Sequence, residues 1–183
     1  LLTNSLKPYA CCRHTHAADY CAQLLRGEHR LEPEHITRIV DHTYQVAVNA
    51  VDNPEPSTPY GYKFSGQYCT AAMLVYGHLG ESAFTPEATS DPRVRRLMDK
   101  ITLVCDPELE ASYQADRNRW AHRLEVTLED GRVLTRQVEY PYGDFNNPFT
   151  WAYEHEKFHT LADGVLGPDR VAALVERLPH LEE

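Results

Sequence analysis

Two kinds of spacing between hydrophobic residues run along this chain, and each predicts a different element. Apolar residues at every second position are typical of a half-buried strand, whereas a repeat of three or four positions indicates an amphipathic helix. The clearest alternation is Leu124, Val126 and Leu128, followed by Asp130-Gly131 and a second alternating run. A tight Asp-Gly turn between two such runs predicts a β-hairpin.

Two other segments predict strands by their composition. Residues 36–50, ITRIVDHTYQVAVNA, are rich in β-branched side chains and partly alternate, and residues 101–105, ITLVC, form a short apolar run. β-Branched residues favour the extended backbone because their χ1 angle is restricted in helices. Together with the hairpin, these segments predict a sheet of four strands.

Helix starts are marked by residues whose side chains accept hydrogen bonds from free backbone N–H groups. Thr15, Ser65, Asp91 and Thr150 each precede a run with helical apolar spacing, and side chains of this kind are favoured at the N-cap. The helix that begins at Thr15 is predicted to run to about Leu25.

Glycines predict where helices end, because this residue adopts the left-handed conformation of many helix C-termini. Gly80 is predicted to end the helix that starts at Ser65, and Gly164 the helix that starts at Thr150. A last helix follows Gly167-Pro168.

The predicted elements follow each other in the order α, β, α, α, β, β, β, α, α. Strands interspersed with helices, with a hairpin among them, are typical of the α+β class. We therefore predict a two-layer sandwich, in which helices pack on one face of a mostly antiparallel four-stranded sheet.

Composition and charge narrow the classes of function. The chain has 183 residues, of which 42% are hydrophobic, and this fits one domain with a real core, or one domain plus a small appendage. The formal net charge of −9 argues against general nucleic-acid binding or attachment to anionic membranes. No apolar run approaches the roughly 20 residues of a membrane span.

The cysteines indicate a reducing compartment. There are five of them, an odd number without the spacing of a disulfide framework. Reduced thiols in a cytoplasmic protein are the simplest interpretation. The chain begins LLTNSLKPYA, without an initiator Met, so we expect a piece of a longer polypeptide or a processed subunit.

One short motif suggests a metal hydrolase. HEKFH at residues 155–159 has the form H-E-x-x-H. On a helix, His155 and His159 would share a face and hold zinc, with Glu156 as general base and Glu176 as a possible third ligand. The alternative is an ordinary amphipathic helix on which Phe158 packs.

A second metal interpretation uses the stretch CCRHTHAADYC. Its potential ligands fall within eleven residues: Cys11, Cys12, His14, His16 and Cys21. Structural zinc sites usually take their ligands from two separated pairs, and no second pair follows in this sequence.

The same stretch also predicts an anion site at the start of a helix. Lys7, Arg13, His14 and His16 lie just before or at the helix that begins at Thr15. Helix N-termini present free N–H groups and a partial positive charge. Arg13 can bind a carboxylate with two hydrogen bonds, Lys7 supplies a point charge, and a histidine can transfer protons.

Five segments of the chain resemble the C-terminal domain of the MmgE/PrpD family. They occur in the order expected for that family: LKPYACCRHTHAADYCAQLL, YKFSGQYCTAAMLVYG, DPRVRRLMDKITLVCDPEL, GRVLTRQVEYPYGDFNNPFT and EKFHTLA. Each motif is weak alone, but the five together cover nearly the whole chain.

The resemblance implies an enzyme of defined chemistry. The family includes 2-methylcitrate dehydratases, cis-aconitate decarboxylases and an iminodisuccinate epimerase, which act on small polycarboxylates without a metal or an organic cofactor. It also implies that residues 1–183 are one α+β domain, that a helical N-terminal domain completes the enzyme, and that the enzyme is a homodimer. The domain alone is then expected to be inactive.

The resemblance assigns roles only where residues match. Lys7 matches a lysine implied to bind substrate, and Arg13 is expected to hold a second carboxylate. Cys12 stands where the decarboxylase branch has a catalytic histidine, so the chain departs from that branch. His14 and His16 are both candidates for the missing acid or base, and the sequence does not choose between them.

The implied reaction begins with removal of a proton next to a carboxylate. Without the decarboxylase-type histidine, loss of water or isomerisation fits better than loss of CO₂. Two alternatives stay open at this point: a zinc hydrolase that uses His155, Glu156 and His159, and a non-catalytic binding domain that has kept the fold.

Overall fold

The computed structural model describes residues 4–180, apart from the side chain of Pro179. Contacts within the chain divide it into two units, Leu1–Asn147 and Pro148–Glu183. The units are described separately below.

The first unit contains both helices and the sheet. Its helices are α1 (His16–His29), α2 (Gln45–Val51), α3 (Pro59–Tyr62), α4 (Gly66–Tyr76), α5 (Pro86–Thr89), α6 (Pro92–Met98) and α7 (Pro107–Ala115). Its strands are β1 (Ile36–Thr43), β2 (Ile101–Cys105), β3 (His122–Leu128) and β4 (Val133–Val138). Short 3-10 turns lie at 13–15, 33–35 and 81–84.

The strands form one mixed sheet in the order β2-β1-β3-β4. β1 pairs with β2 in parallel, whereas β1 with β3 and β3 with β4 are antiparallel. Helix α1 packs against β3, β4 and α4, and α4 packs against β2 and α6. The predicted α+β class, with helices packed on a mostly antiparallel sheet, is confirmed.

Strand β3 shows why the hairpin was predictable. Every second residue of β3 is buried, beginning with His122 and continuing through Leu124, Val126 and Leu128. Alternate side chains of a strand point to opposite faces, so these four share the face that is covered by the core. Gly131 has a φ of +84° at the turn, a conformation that favours glycine.

Four helices of the first unit were not predicted: α2, α7 and the one-turn helices α3 and α5. The strand predicted over residues 36–50 ends at Thr43, and helix α2 follows it, because Ala47 and Val51 are buried at helical spacing. The start of helix α7 has a clear capping signal, since Asp106 accepts hydrogen bonds from the backbone N–H groups of Glu108 and Leu109.

The helix starts at Ser65, Asp91 and Thr150 are confirmed by side-chain hydrogen bonds at the N-cap. Thr15 precedes α1 as predicted but makes no such bond, because its backbone continues the 3-10 turn before the helix.

Two helices end at a different glycine from the one predicted. Helix α4 has Gly77 as its C-cap, with a φ of +78°, and so ends before the predicted Gly80. The helix that begins after Thr150 continues past Gly164 to Leu166, with Gly167 as its C-cap. The left-handed or positive-φ backbone at each true end selects the glycine.

The second unit is a pair of helices, α8 (Trp151–Leu166) and α9 (Pro168–Arg177), which pack against each other. A 3-10 turn follows at 178–180. Across residues 4–180, no helix combines the length and the apolar character that crossing a bilayer requires.

Candidate functional site at the start of helix α1

The segment before α1 is held in place by backbone hydrogen bonds to the surroundings of α4. The N–H of Ala10 donates to the carbonyl of Leu79 at 2.8 Å, and that of Cys12 to the carbonyl of Lys63 at 2.8 Å. The exposed side chain of Lys7 folds back, and its Nζ donates to the carbonyl of Cys11 at 2.9 Å. The segment therefore presents its side chains from a fixed backbone.

Arg13 is paired with a buried carboxylate. Its Nη2 lies 2.5 Å from Oδ2 of Asp144, which follows β4 in the chain and is 2% exposed. The hydroxyl of Ser5 donates to the same oxygen at 2.9 Å. A guanidinium carries five N–H donors, so Arg13 retains capacity for a second carboxylate while Asp144 fixes its position.

His14 lies in an aromatic cluster. Its ring stacks on Trp120 with centroids 4.5 Å apart and planes at 11°, and its Nδ1 lies 2.8 Å from the hydroxyl of Tyr44. The guanidinium carbon of Arg13 (Cζ) lies over the Trp120 ring, 5.1 Å from its centroid. The side chains of Arg13 and His14 therefore both lie against the ring of Trp120.

The surroundings keep the His14 imidazole neutral. Burial, the nearby His122 and the charge of Arg13 together lower the pKa of His14 to about 4. Burial also raises the pKa of Tyr44, so its hydroxyl stays protonated beside the ring. A neutral imidazole can accept a proton as a general base does, whereas a general acid needs the protonated form.

His16 lies in a different environment from His14. It is 0% exposed, its Nε2 is 3.4 Å from the carbonyl of Cys11, and its ring meets the edge of Tyr9 at 5.2 Å. The structure therefore places the two candidate histidines apart: His14 is half-buried, and His16 is enclosed.

Cys12 is half-buried, and burial raises the pKa of its thiol. A thiol in this state is protonated at neutral pH and is a weak nucleophile. Its side chain can contact a ligand that reaches the segment, but it does not replace a histidine as a base.

Sequence reasoning missed the pair Asp41 and His122. Nδ1 of His122 lies 2.7 Å from Oδ1 of Asp41, and both side chains are 1% exposed. The ring of Tyr44 meets the edge of the His122 ring at 6.1 Å and stacks on Tyr113 at 4.1 Å. The sequence held one signal for this residue: His122 lies two positions before Leu124 and so continues the alternating positions that face the core.

The predicted zinc motif lies on helix α8, as expected, but the surroundings do not support a zinc hydrolase. Nδ1 of His159 lies 3.0 Å from Oδ1 of Asp163, one turn along the same helix. Within the described part of the chain, the side chains that come close enough to share one ion are elsewhere, at Cys11, Asp19 and Cys69. This group also differs from the set of five ligands that the stretch CCRHTHAADYC suggested.

A surface cavity of about 340 Å³ lies away from this site. It is lined by residues after the end of α1 and around the hairpin turn, among them Arg30, Glu32, His35, Glu129 and Arg132. Lys7, Cys12, Arg13, His14 and His16 are not among its lining residues.

Comparison with known proteins gives the relationships of the chain. The chain is 32% identical to the mitochondrial 2-methylcitrate dehydratase of Yarrowia lipolytica over 136 residues, which are 71% of this chain and 26% of that protein. It is 35% identical to the 2-methylcitrate dehydratase of Cupriavidus necator over 111 residues, 59% of this chain and 23% of that protein.

A third relative is the 2-methylcitrate dehydratase-like protein oryR of Aspergillus oryzae, 30% identical over 114 residues, 60% of this chain and 23% of that protein. The matched region spans about a quarter of the length of these relatives. The model of the MmgE/PrpD C-terminal domain matches residues 9–180. The chain thus belongs to the MmgE/PrpD family and carries its C-terminal domain.

Proposed function

We propose that this chain is the C-terminal part of a lyase or isomerase that acts on small polycarboxylates, with dehydration of 2-methylcitrate or a close analogue as the leading reaction. The observation that carries the proposal is that the side chains of Arg13 and His14 both lie against the ring of Trp120. The names of the relatives support the substrate class.

The proposed reaction needs a base, an acid and a positive charge. The base takes the proton next to a carboxylate, the electron pair of that C–H bond forms the C=C bond, and the hydroxyl group leaves with a proton as water. Arg13 and Lys7 hold the substrate carboxylates and stabilise the negative charge that develops. The Cys12 side chain lines the same segment.

We assign the proton transfer to His14 and not to His16. His14 is half-buried, neutral and oriented by Tyr44 at 2.8 Å, so its ring can meet a ligand on the surface of this chain. His16 is 0% exposed and supports the segment from within. A general base has to lie within hydrogen-bond reach of the proton that it removes.

We further propose that a helical domain completes the site and that the complete enzyme is a homodimer without a metal in catalysis. The relatives are about four times as long as the matched region, and this supports a further part of the enzyme that covers the half-buried His14. The chain alone is then a domain with little or no turnover. A cytoplasmic location stays a prediction from the cysteines.

Calorimetric titration tests this proposal. 2-Methylcitrate, cis-aconitate and iminodisuccinate are titrated into this chain alone and into the chain with its helical domain. We expect binding of one of the three with the helical domain present, and about tenfold weaker binding for Lys7→Ala, because a charged hydrogen bond contributes about 1.5–3 kcal/mol.

The matched control is Arg132→Ala, which removes an equal charge from the hairpin turn, where Arg132 pairs with Asp130 at 2.7 Å. Binding of a polycarboxylate without any turnover would indicate a non-catalytic binding domain. No binding of any of the three in the completed enzyme would contradict the proposal.

A further inference from the structure

Two thiols and a carboxyl group meet in the core between α1 and α4. Sγ of Cys11 lies 3.6 Å from Oδ2 of Asp19, and with Sγ of Cys69 these ligand atoms all lie within 4.8 Å of one another. The three side chains are 4%, 0% and 0% exposed, respectively. None of them has a role in the function proposed above.

We propose that Cys11, Asp19 and Cys69 form a structural zinc site. In a tetrahedral site, Zn–S bonds of about 2.3 Å and Zn–O bonds of about 2.0–2.2 Å place neighbouring ligand atoms about 3.5–3.8 Å apart. The distance of 3.6 Å between Cys11 and Asp19 already has this value. Two thiolates and a carboxylate are a donor set that zinc accepts.

A buried hydroxyl group supports the ligands. The hydroxyl of Thr15 donates to Oδ2 of Asp19 at 2.7 Å and lies 3.2 Å from Sγ of Cys11. Thr15 is 1% exposed. These are hydrogen-bond distances, shorter than the spacing of neighbouring zinc ligands, so Thr15 orients the carboxylate, and the three ligands are Cys11, Asp19 and Cys69.

An unsatisfied acceptor points to a ligand as well. Oδ1 of Asp19 is buried and has no hydrogen-bond partner in the described part of the chain. A carboxyl oxygen in this state is destabilising, since burial without a partner costs the hydration that it loses.

Two helix N-termini favour the ionised ligands. Asp19 lies in the first turn of α1, and Cys69 lies in the first turn of α4, four residues after its N-cap Ser65. The partial positive charges of both helices therefore stabilise a thiolate and a carboxylate at this point. When zinc binds, any proton held by the two cysteine sulfurs or by the carboxyl group is released to solvent, and the metal takes its place.

The site would act on the segment that carries His14. Cys11 precedes that residue by three positions, and Cys69 belongs to another helix, so a shared ion fixes the segment to α4. The inference is independent of the reaction proposed above, because the ion is enclosed and touches no substrate.

The test uses the 183-residue chain under reducing conditions. We expect one zinc per chain after dialysis, measured by mass spectrometry, and two sulfur neighbours in X-ray absorption at the zinc edge. Substituted Co²⁺ should give a thiolate charge-transfer band. Cys11→Ser and Cys69→Ser should each weaken zinc binding by more than about 100-fold, since loss of even outer-shell partners costs about 10–100-fold.

Two variants serve as controls that should bind zinc as the wild type does. Cys21→Ser changes a thiol that is equally buried but outside the cluster, and His155→Gln changes the H-E-x-x-H motif. Circular dichroism reports whether each variant is folded. Less than one zinc per folded wild-type chain, an absorption spectrum without sulfur neighbours, or loss of zinc in His155→Gln would overturn the inference, and the wild-type measurements decide it even if a cysteine variant fails to fold.

Discussion

Asp41 and His122 form a hydrogen bond of 2.7 Å across two neighbouring strands, with both side chains 1% exposed. The antiparallel register pairs Asp41 with Leu124, two residues after His122, so the carboxylate and the ring lie on the same face. The His122 ring meets the edge of Tyr44, whose hydroxyl holds His14 at 2.8 Å. The buried pair therefore supports the cluster that positions His14.

Removal of Asp41 should strongly destabilise the first unit. Asp41→Ala leaves Nδ1 of the buried His122 ring without its hydrogen-bond partner, and a buried polar group left unsatisfied costs about 1–3 kcal/mol. We expect a loss of this size in the free energy of unfolding, measured in urea. The matched control is Glu129→Ala, which breaks the bond between Glu129 and His35 at 3.1 Å, where both side chains are about 60% exposed.

The exposed pair should contribute less than about 1 kcal/mol, as surface ion pairs do. Equal losses in the two variants would show that burial does not set the strength of the Asp41 pair.

Asp144 should hold the loop that follows β4. Its carboxylate accepts hydrogen bonds from Arg13 at 2.5 Å and Ser5 at 2.9 Å, and Leu6 donates from its N–H to the carbonyl of Gly143 at 2.8 Å. Asp144→Ala leaves a guanidinium without its partner, so we expect faster hydrogen exchange at the amides of residues 143–147.

Asp130→Ala is the control, since this exposed carboxylate pairs with Arg132 at 2.7 Å on the hairpin turn. Asp130→Ala should leave hydrogen exchange at the amides of residues 143–147 unchanged. Unaltered exchange in Asp144→Ala would contradict the role given to the ion pair.

The stability of the fold should depend on pH through His14. Its pKa is lowered from 6.5 to about 4 in the folded state, chiefly by burial. Between pH 6.5 and 4, the unfolded chain binds a proton at this residue that the folded chain does not bind. The free energy of unfolding should therefore fall as the pH is lowered through this window, and it should change less steeply in His14→Gln.

Urea titrations at pH 7, 5.5 and 4.5 measure this dependence. His29→Gln, an exposed residue at the end of α1, is the control that should keep the slope of the wild type. The same slope in His14→Gln as in the wild type would rule out a buried neutral imidazole.

Gly77 should not tolerate a side chain. Its φ is +78°, and a Cβ atom would lie 2.9 Å from Nη1 of Arg26. Gly77→Ala should lower the free energy of unfolding by more than about 1 kcal/mol. Gly27→Ala is the opposite case, because Gly27 lies in α1 with open space around it. There alanine should raise the free energy of unfolding by about 0.5–1 kcal/mol. Thermal unfolding of both variants measures the contrast, and a stabilised Gly77→Ala would contradict it.

The hairpin and the helix starts were predictable because their signals are local. Leu124, Val126 and Leu128 alternate before a tight turn, and Ser65 lies three residues before Tyr68, the first residue of an apolar stripe. Helix α7 carries an equally local signal, since Asp106 precedes Pro107 just as Asp91 precedes Pro92, and the same rule would have found it.

The candidate site was only partly predictable because its contacts join distant residues. The segment with Arg13 and His14 was identified from its charges beside a helix start. Its partners lie far along the chain: Tyr44 is 30 residues away and Asp144 is 131 residues from Arg13. Such contacts depend on strand register and on loop paths, which no local pattern encodes. The strand predicted beyond Thr43 fails for the same reason, since tertiary packing overrides β-propensity in α2.

The most direct test of the central claim is dehydration of 2-methylcitrate by a chimera. In it, this chain replaces the matching region of the Cupriavidus necator 2-methylcitrate dehydratase, and formation of the unsaturated product is followed by its ultraviolet absorbance. We predict turnover by the chimera, a loss of at least about 100-fold in kcat for His14→Asn, and a change within about twofold for the exposed control His78→Asn. Full activity in the His14→Asn chimera, with its fold intact by circular dichroism, would contradict the account.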